Sequence, residues 1–231
     1  MSTAPQLRKG SVSARVFSRL NRSFLKTRFH DIMFRNEFML MRLWGLRAPE
    51  RFSSSPYGNT YGDPTTLLMR RTLRRLIRAR RLSRVHEIGI GHYGLMCLYL
   101  KMQFPALTIS GSTISPIEVT HATETATLNG CPSNYYLSDV LASIAAPVEM
   151  VWWNLPYYEP GVLDYLGRLR DQVRSGQALL PGGLVVLGFN GVPLNAESVR
   201  AVFAADDFSI LQTETFAWNP HVIFTIQHVV R

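Results

Sequence analysis

The stretch that most constrains this chain runs from Arg84 to Gly94, Arg-Val-His-Glu-Ile-Gly-Ile-Gly-His-Tyr-Gly. Val85 and Ile88 make a short apolar strand with Glu87 at its C-terminal end. Gly89 and Gly91 accept backbone angles that a side chain resists, and they let a ligand lie against the main chain. The helix expected from Tyr93 to Lys101 then aims its first N–H groups at that ligand. Strand, glycine turn and helix in this order are how α/β folds seat an adenosine-bearing cofactor.

A chain of 231 residues, 46% hydrophobic, can bury one sizeable core and carry an added segment. Its net charge of +9 invites polyanions as partners. Cys97 and Cys131 lack metal-ligand spacing and read as free thiols in a reducing compartment, hence a cytoplasmic protein. No signal peptide is visible. No run of about 18 apolar residues is free of charge, so no membrane span is expected.

From Ser11 to Leu46, apolar residues such as Val16, Leu20, Phe24, Ile32, Phe38 and Trp44 recur at helical spacing among arginines and lysines. Residues 1–63 therefore read as a helical extension ending in a tyrosine-containing loop. Packing on the main domain is the first reading, a lid over the site the second, and a membrane-surface or homodimer contact the third. Tyr57 and Tyr61 are large aromatics in a turn-rich stretch, which makes them candidates to touch the ligand. Thr65 or Thr66 is the expected cap of the next helix, which runs to about Arg80. Leu67, Leu68, Leu73, Leu76 and Ile77 form its buried face, and arginines its solvated one.

Residues 64–231 alternate strand and helix. Strands are expected at Ala106–Ser110, Tyr135–Leu137, Val148–Trp153 and Leu184–Leu187, the last after a turn at Pro181-Gly182-Gly183. Helices are expected at about Ile117–Asn129, Val140–Ala145, Val162–Arg174 and Ala196–Ala205. Phe208–Phe216 and His221–Val230 close the chain as an antiparallel edge on an otherwise parallel sheet.

With these pieces placed, residues 66–231 resemble the class I S-adenosylmethionine-dependent methyltransferases, most of all the small group with an Asn-Pro-Pro-Tyr-type signature. Glu87 to Gly94 matches the cofactor loop, and Thr113 to Gly130 matches the second strand end with its helix. Asp139 matches the acidic residue facing the adenine amino group, and Asn154-Leu-Pro-Tyr157 matches the catalytic tetrapeptide. Three positions depart. Tyr93 stands where a third glycine is usual, Thr113 replaces the acid that holds the ribose hydroxyls, and Leu155 replaces the first proline.

The resemblance implies an α/β, Rossmann-like fold with a mostly parallel seven-stranded sheet, an antiparallel C-terminal edge and the N-terminal helical extension. It implies S-adenosylmethionine as methyl donor or as sole substrate. Cofactor contacts fall to Glu87, Gly89, Gly91, Thr113, Ile114, Asp139 and Asn154, with Tyr57 and Tyr61 from the loop. Catalysis falls to Asn154 and Tyr157. His86 reads as a satisfied buried histidine and His92 as a candidate base. His121 and His221 are isolated, so no metal is expected.

No separate substrate domain is visible, so the expected reaction is methyl transfer to nitrogen of a small molecule. One alternative is intramolecular cyclisation of S-adenosylmethionine to azetidine-2-carboxylate with release of methylthioadenosine, by similarity to the methyltransferase-like synthases of that amino acid. Tyr93, Trp152, Trp153 and Tyr158 would then offer faces to the sulfonium. Another alternative is nucleic-acid or protein-glutamine N-methylation. Tight nucleic-acid binding is not expected, because the densest arginine cluster lies on one helix.

Overall fold

The computed structural model describes residues 44–47, 64–156, 160–216 and 219–229. The elements in chain order are α1 (Pro64–Arg80), β1 (Arg84–Ile88), α2 (Leu95–Gln103), β2 (Thr108–Thr113), α3 (Pro116–Leu128), β3 (Asn134–Leu137), β4 (Val148–Asn154), α4 (Val162–Arg174), β5 (Leu179–Asn190), α5 (Ala196–Val202), β6 (Phe208–Phe216) and β7 (Asn219–His228). The strands form one sheet in the order β3-β2-β1-β4-β5-β7-β6. Strands β1 to β5 pair in parallel, and β7 runs antiparallel to both β5 and β6. This is the expected Rossmann-like sheet with an antiparallel C-terminal edge. Chain order reverses between β1 and β4, which opens a crevice at their carboxyl ends.

Side chains alternate across the central strands and feed two cores. Met150 and Trp152 of β4 join the layer containing Leu73 of α1 and Leu98 of α2. Val151 and Trp153 join the opposite layer, with Leu166 of α4 and Val199 of α5. Residues 44–47 dock on the first layer. Trp44 is buried edge-on against Tyr99, and Arg47 exchanges backbone hydrogen bonds with the Asn129 side chain. The rest of the N-terminal extension, with Tyr57 and Tyr61, lies outside the described residues, as do Tyr157 and Tyr158.

Several local expectations give way to tertiary pairing. β2 runs to Thr113 rather than ending at Ser110, because β1 and β3 extend a ladder on both its sides. β5 begins at Leu179 and passes through Pro181-Gly182-Gly183, since β4 offers Val148 as a partner before a register shift. No helix forms at Val140–Ala145. Its bonds there, Ala142 N–H to Asp139 O and Ile144 N–H to Leu141 O, are single turns, and Val140 sits at φ 55. Thr65 and Thr66 lie inside α1, not at its cap, and both are buried. Leu67 is exposed rather than core.

Candidate active site at the strand ends

The site is built where the ends of β1 to β4 face the crevice. At β1, Gly89 and Gly91 have φ of 68 and 60, angles that favour glycine. A Cβ at Gly91 would meet nothing within 4 Å, so the main chain there borders open space. The turn is held by the Ser112 carbonyl, which accepts from Gly89 N–H at 2.8 Å and Ile90 N–H at 3.2 Å. Glu87 is buried and accepts from Cys97 N–H, in the first turn of α2, at 3.2 Å. Burial pushes its carboxyl up to about 7, against the opposing pull of the Cys97 thiol, the Trp152 indole and the Cys97 N–H. That geometry holds the turn to its helix.

At β2, Thr113 ends the strand and donates to Glu118 Oε2 at 2.5 Å, while Ser115 N–H donates to the Thr113 hydroxyl. Glu118, in the first turn of α3, is buried, and burial raises its carboxyl above the ordinary range despite the threonine bond. Its other oxygen has no partner among the described residues. The carboxylate missing from the strand end is thus present one helical turn later. No motif or spacing in the sequence marks Glu118 out. Ile114, next in the chain, is 67% exposed and offers an apolar shelf beside it.

After β3, Asp139 pairs through Oδ2 with Arg168 of α4 at 2.8 Å. Both groups are half exposed, so the pair contributes at most about 1 kcal/mol, and Oδ1 remains for another donor. Gln172 accepts from Leu141 N–H and donates to Asp139 O, bracing the same loop. Val140, left-handed and β-branched, stores strain of about 1–3 kcal/mol.

At β4, Asn154 is the last strand residue. Its Nδ2 donates to Thr66 Oγ1 at 3.2 Å. Its Oδ1 is buried with no hydrogen-bond partner among the described residues. The contact depends on Gly188, where a Cβ would fall 2.5 Å from Met69 and 2.7 Å from Thr65. α1 therefore lies directly on β5 and brings Thr66 to the asparagine. Thr66 is a second site residue that spacing did not reveal.

Other expectations are corrected here. Tyr93, Trp152 and Trp153 are buried in the cores and do not line an open cation site. His121 is not isolated, because its Nδ1 lies 3.1 Å from Nε2 of the buried His92. Nor is His221, which bonds Thr65. His86 is fully buried between two serine hydroxyls. Among the described residues, no three His, Cys, Asp or Glu gather as a metal site, and no helix is long and apolar enough to cross a membrane.

The donor set suits S-adenosylmethionine. It combines an open turn at Gly91, a Thr113–Glu118 pair able to hydrogen-bond hydroxyls, and an Asp139 oxygen able to accept from an amine. No family model matches the chain. A release factor glutamine methyltransferase of Deinococcus radiodurans is 27% identical over 138 residues, 51% of this chain and 49% of that protein. The chain thus spans about half the length of the curated relative it matches. Among solved structures, a Pyrococcus furiosus methyltransferase superposes with a TM-score of 0.63 at 15% identity, covering 87% of this chain and 98% of its own. The ribosomal protein L11 methylase of Lactobacillus delbrueckii subsp. bulgaricus gives 0.56 at 20% identity over 72% and 79%. The magnesium protoporphyrin IX methyltransferase of Synechocystis PCC 6803, solved with S-adenosylmethionine bound, gives 0.57 at 14% identity over 96% and 100%. The chain thus has the fold of the class I S-adenosylmethionine-dependent methyltransferases.

Proposed function

We propose that this protein transfers a methyl group from S-adenosylmethionine to the nitrogen of a side-chain amide in a protein substrate. The observation that carries this reading is Asn154, whose buried Oδ1 has no hydrogen-bond partner among the described residues while Thr66 fixes the other end of its amide. A lone buried acceptor costs stability unless a donor completes it, and a substrate N–H is such a donor. The segment shared with the release factor glutamine methyltransferase favours an amide over a free small molecule.

S-adenosylmethionine supplies an electrophilic methyl carbon on a sulfonium. Asn154 Oδ1 accepts one N–H of the substrate amide, and a backbone carbonyl of residues 154–156 accepts the other. The nitrogen lone pair is then held toward the methyl carbon. The nitrogen–carbon bond forms as the carbon–sulfur bond breaks, sulfur keeps the electron pair, and the nitrogen releases a proton to water. Alignment and fixed dipoles supply the acceleration, with no strong base required. Glu118, Asp139 and the Gly89–Gly91 turn hold the donor in this reading.

The test is mass analysis of the protein with S-adenosylmethionine, first alone and then with glutamine-containing peptides. A methylated peptide and S-adenosylhomocysteine are expected only in the second case. Asn154→Ala should lower kcat by about 100-fold or more with donor affinity little changed. Methylthioadenosine and azetidine-2-carboxylate from the donor alone would select cyclisation instead. Methylation of small amines with peptides inert would return the reading to a small acceptor.

A further inference from the structure

The sheet carries a polar chain that the proposed reaction does not use. His86 of β1 has Nδ1 2.8 Å from Ser110 Oγ and Nε2 2.9 Å from Ser112 Oγ. Ser112 Oγ in turn donates to the carbonyl of Val140 at 3.2 Å. Proton positions follow from this order. The Ser112 proton is committed to Val140 O, so its oxygen must accept from His86 Nε2–H. Nδ1 then carries no proton and accepts from Ser110. Burial holds the ring neutral, with its pKa lowered to about 3. Tyr136 stacks on the ring with centroids 5.6 Å apart.

The chain ends on the one described residue that combines branching at Cβ with positive φ, Val140 at φ 55. Asp139 immediately precedes it. Ser112 also holds Gly89 and Ile90 through its own carbonyl. A residue only 1% exposed therefore ties the glycine turn with its main chain and the acidic loop with its side chain.

We propose that Ser112 and His86 are positioning residues that set the nucleobase selectivity of the pocket, by holding Val140 left-handed and so keeping Asp139 at the pocket edge. The proposal rests on the reading in which Asp139 meets an adenine amino group. Its test is the ratio of affinities of the full chain for S-adenosylhomocysteine and for the inosine counterpart, in which a carbonyl replaces the 6-amino group. The wild type should favour the adenosine form. Ser112→Ala should cut that preference about tenfold or more, and adding Val140→Gly should restore most of it, because glycine takes the left-handed backbone without an anchor. Ser112→Cys keeps the volume with a weaker donor. It should fall between the wild type and Ser112→Ala, and it is measured alone if the alanine variant does not fold. Nitrogen-15 imidazole shifts of the wild type should show the neutral Nε2–H tautomer of His86. A lower melting temperature with an unchanged ratio would make Ser112 merely structural and overturn the proposal, as would the Nδ1–H tautomer. Asp139→Asn with an unchanged ratio would instead sink the underlying adenine reading, and a wild type that binds neither ligand would sink the cofactor reading itself.

Discussion

Glu87 and His86 are neighbours on β1 and titrate in opposite senses. Glu87 is raised to about 7 by burial, so the folded chain binds that proton more tightly than the unfolded chain. Its contribution to stability is full below the ordinary carboxylate range and is lost as pH rises through about 7. His86, lowered to about 3, contributes stability above its ordinary value that is lost as pH falls toward 3. Glu87→Gln keeps an acceptor for Cys97 N–H and removes one of these slopes. Urea unfolding at pH 5.5 and 8.5 should show the wild type losing on the order of 2 kcal/mol more than the variant between the two. Equal losses would mean that the carboxyl is ionised throughout. Glu118 makes a different demand. If it holds sugar hydroxyls with Thr113, Glu118→Gln should weaken S-adenosylhomocysteine by about tenfold in calorimetry, the size of a charge-assisted bond reduced to a neutral one. Wild-type affinity would confine Glu118 to the first turn of α3.

At the scale of elements, two glycines serve opposite purposes. Gly91 borders open space, so a side chain there strains the backbone without striking the protein. Gly91→Val is expected to abolish cofactor binding in calorimetry with the fold largely intact, and unchanged affinity would remove Gly91 from the site. Gly188 lies under α1, so Gly188→Ala must lift the helix from β5. It should cost about 1–3 kcal/mol of stability and separate Thr66 from Asn154. The check is kcat, which should fall even where the variant is fully folded, whereas Thr66→Val should lower kcat without the stability loss.

Across the whole molecule, charge is divided unevenly. Residues 1–81 hold eighteen of the twenty-five Lys and Arg but only four of the sixteen Asp and Glu. A groove of about 800 Å³ runs along α1, lined by Leu67, Leu68, Ala79 and five arginines. Four of the five groove arginines already have a structural use. Arg75 pairs with Glu214, Arg70 lies over Trp44 and Tyr99, Arg74 over Tyr99 and Arg78 over Phe104. Arginine stems that cover aromatic rings pack as core does. We therefore expect RNA and DNA oligonucleotides to bind more weakly than about 1 µM at physiological salt. A submicromolar affinity with a steep salt slope would show the arginine face to be an interface.

Apart from the helix expected at Val140–Ala145, the order of strands and helices, the glycine turn and the asparagine closing β4 are legible in the chain itself, because each is a local pattern. Apolar period, turn chemistry and short motifs act over a few residues. Strand limits were not legible, because Thr113 and Pro181 become strand only when neighbouring strands complete their ladders. The site divided in the same way. Asp139, Gly91 and Asn154 are candidates that motif position and the family resemblance supply. Glu118, Thr66 and Ser112 matter through partners 5, 88 and 28 residues away. Such pairs carry no signature in spacing, since what joins them is the register of the sheet and the close seating of α1 on Gly188, which only the folded chain decides.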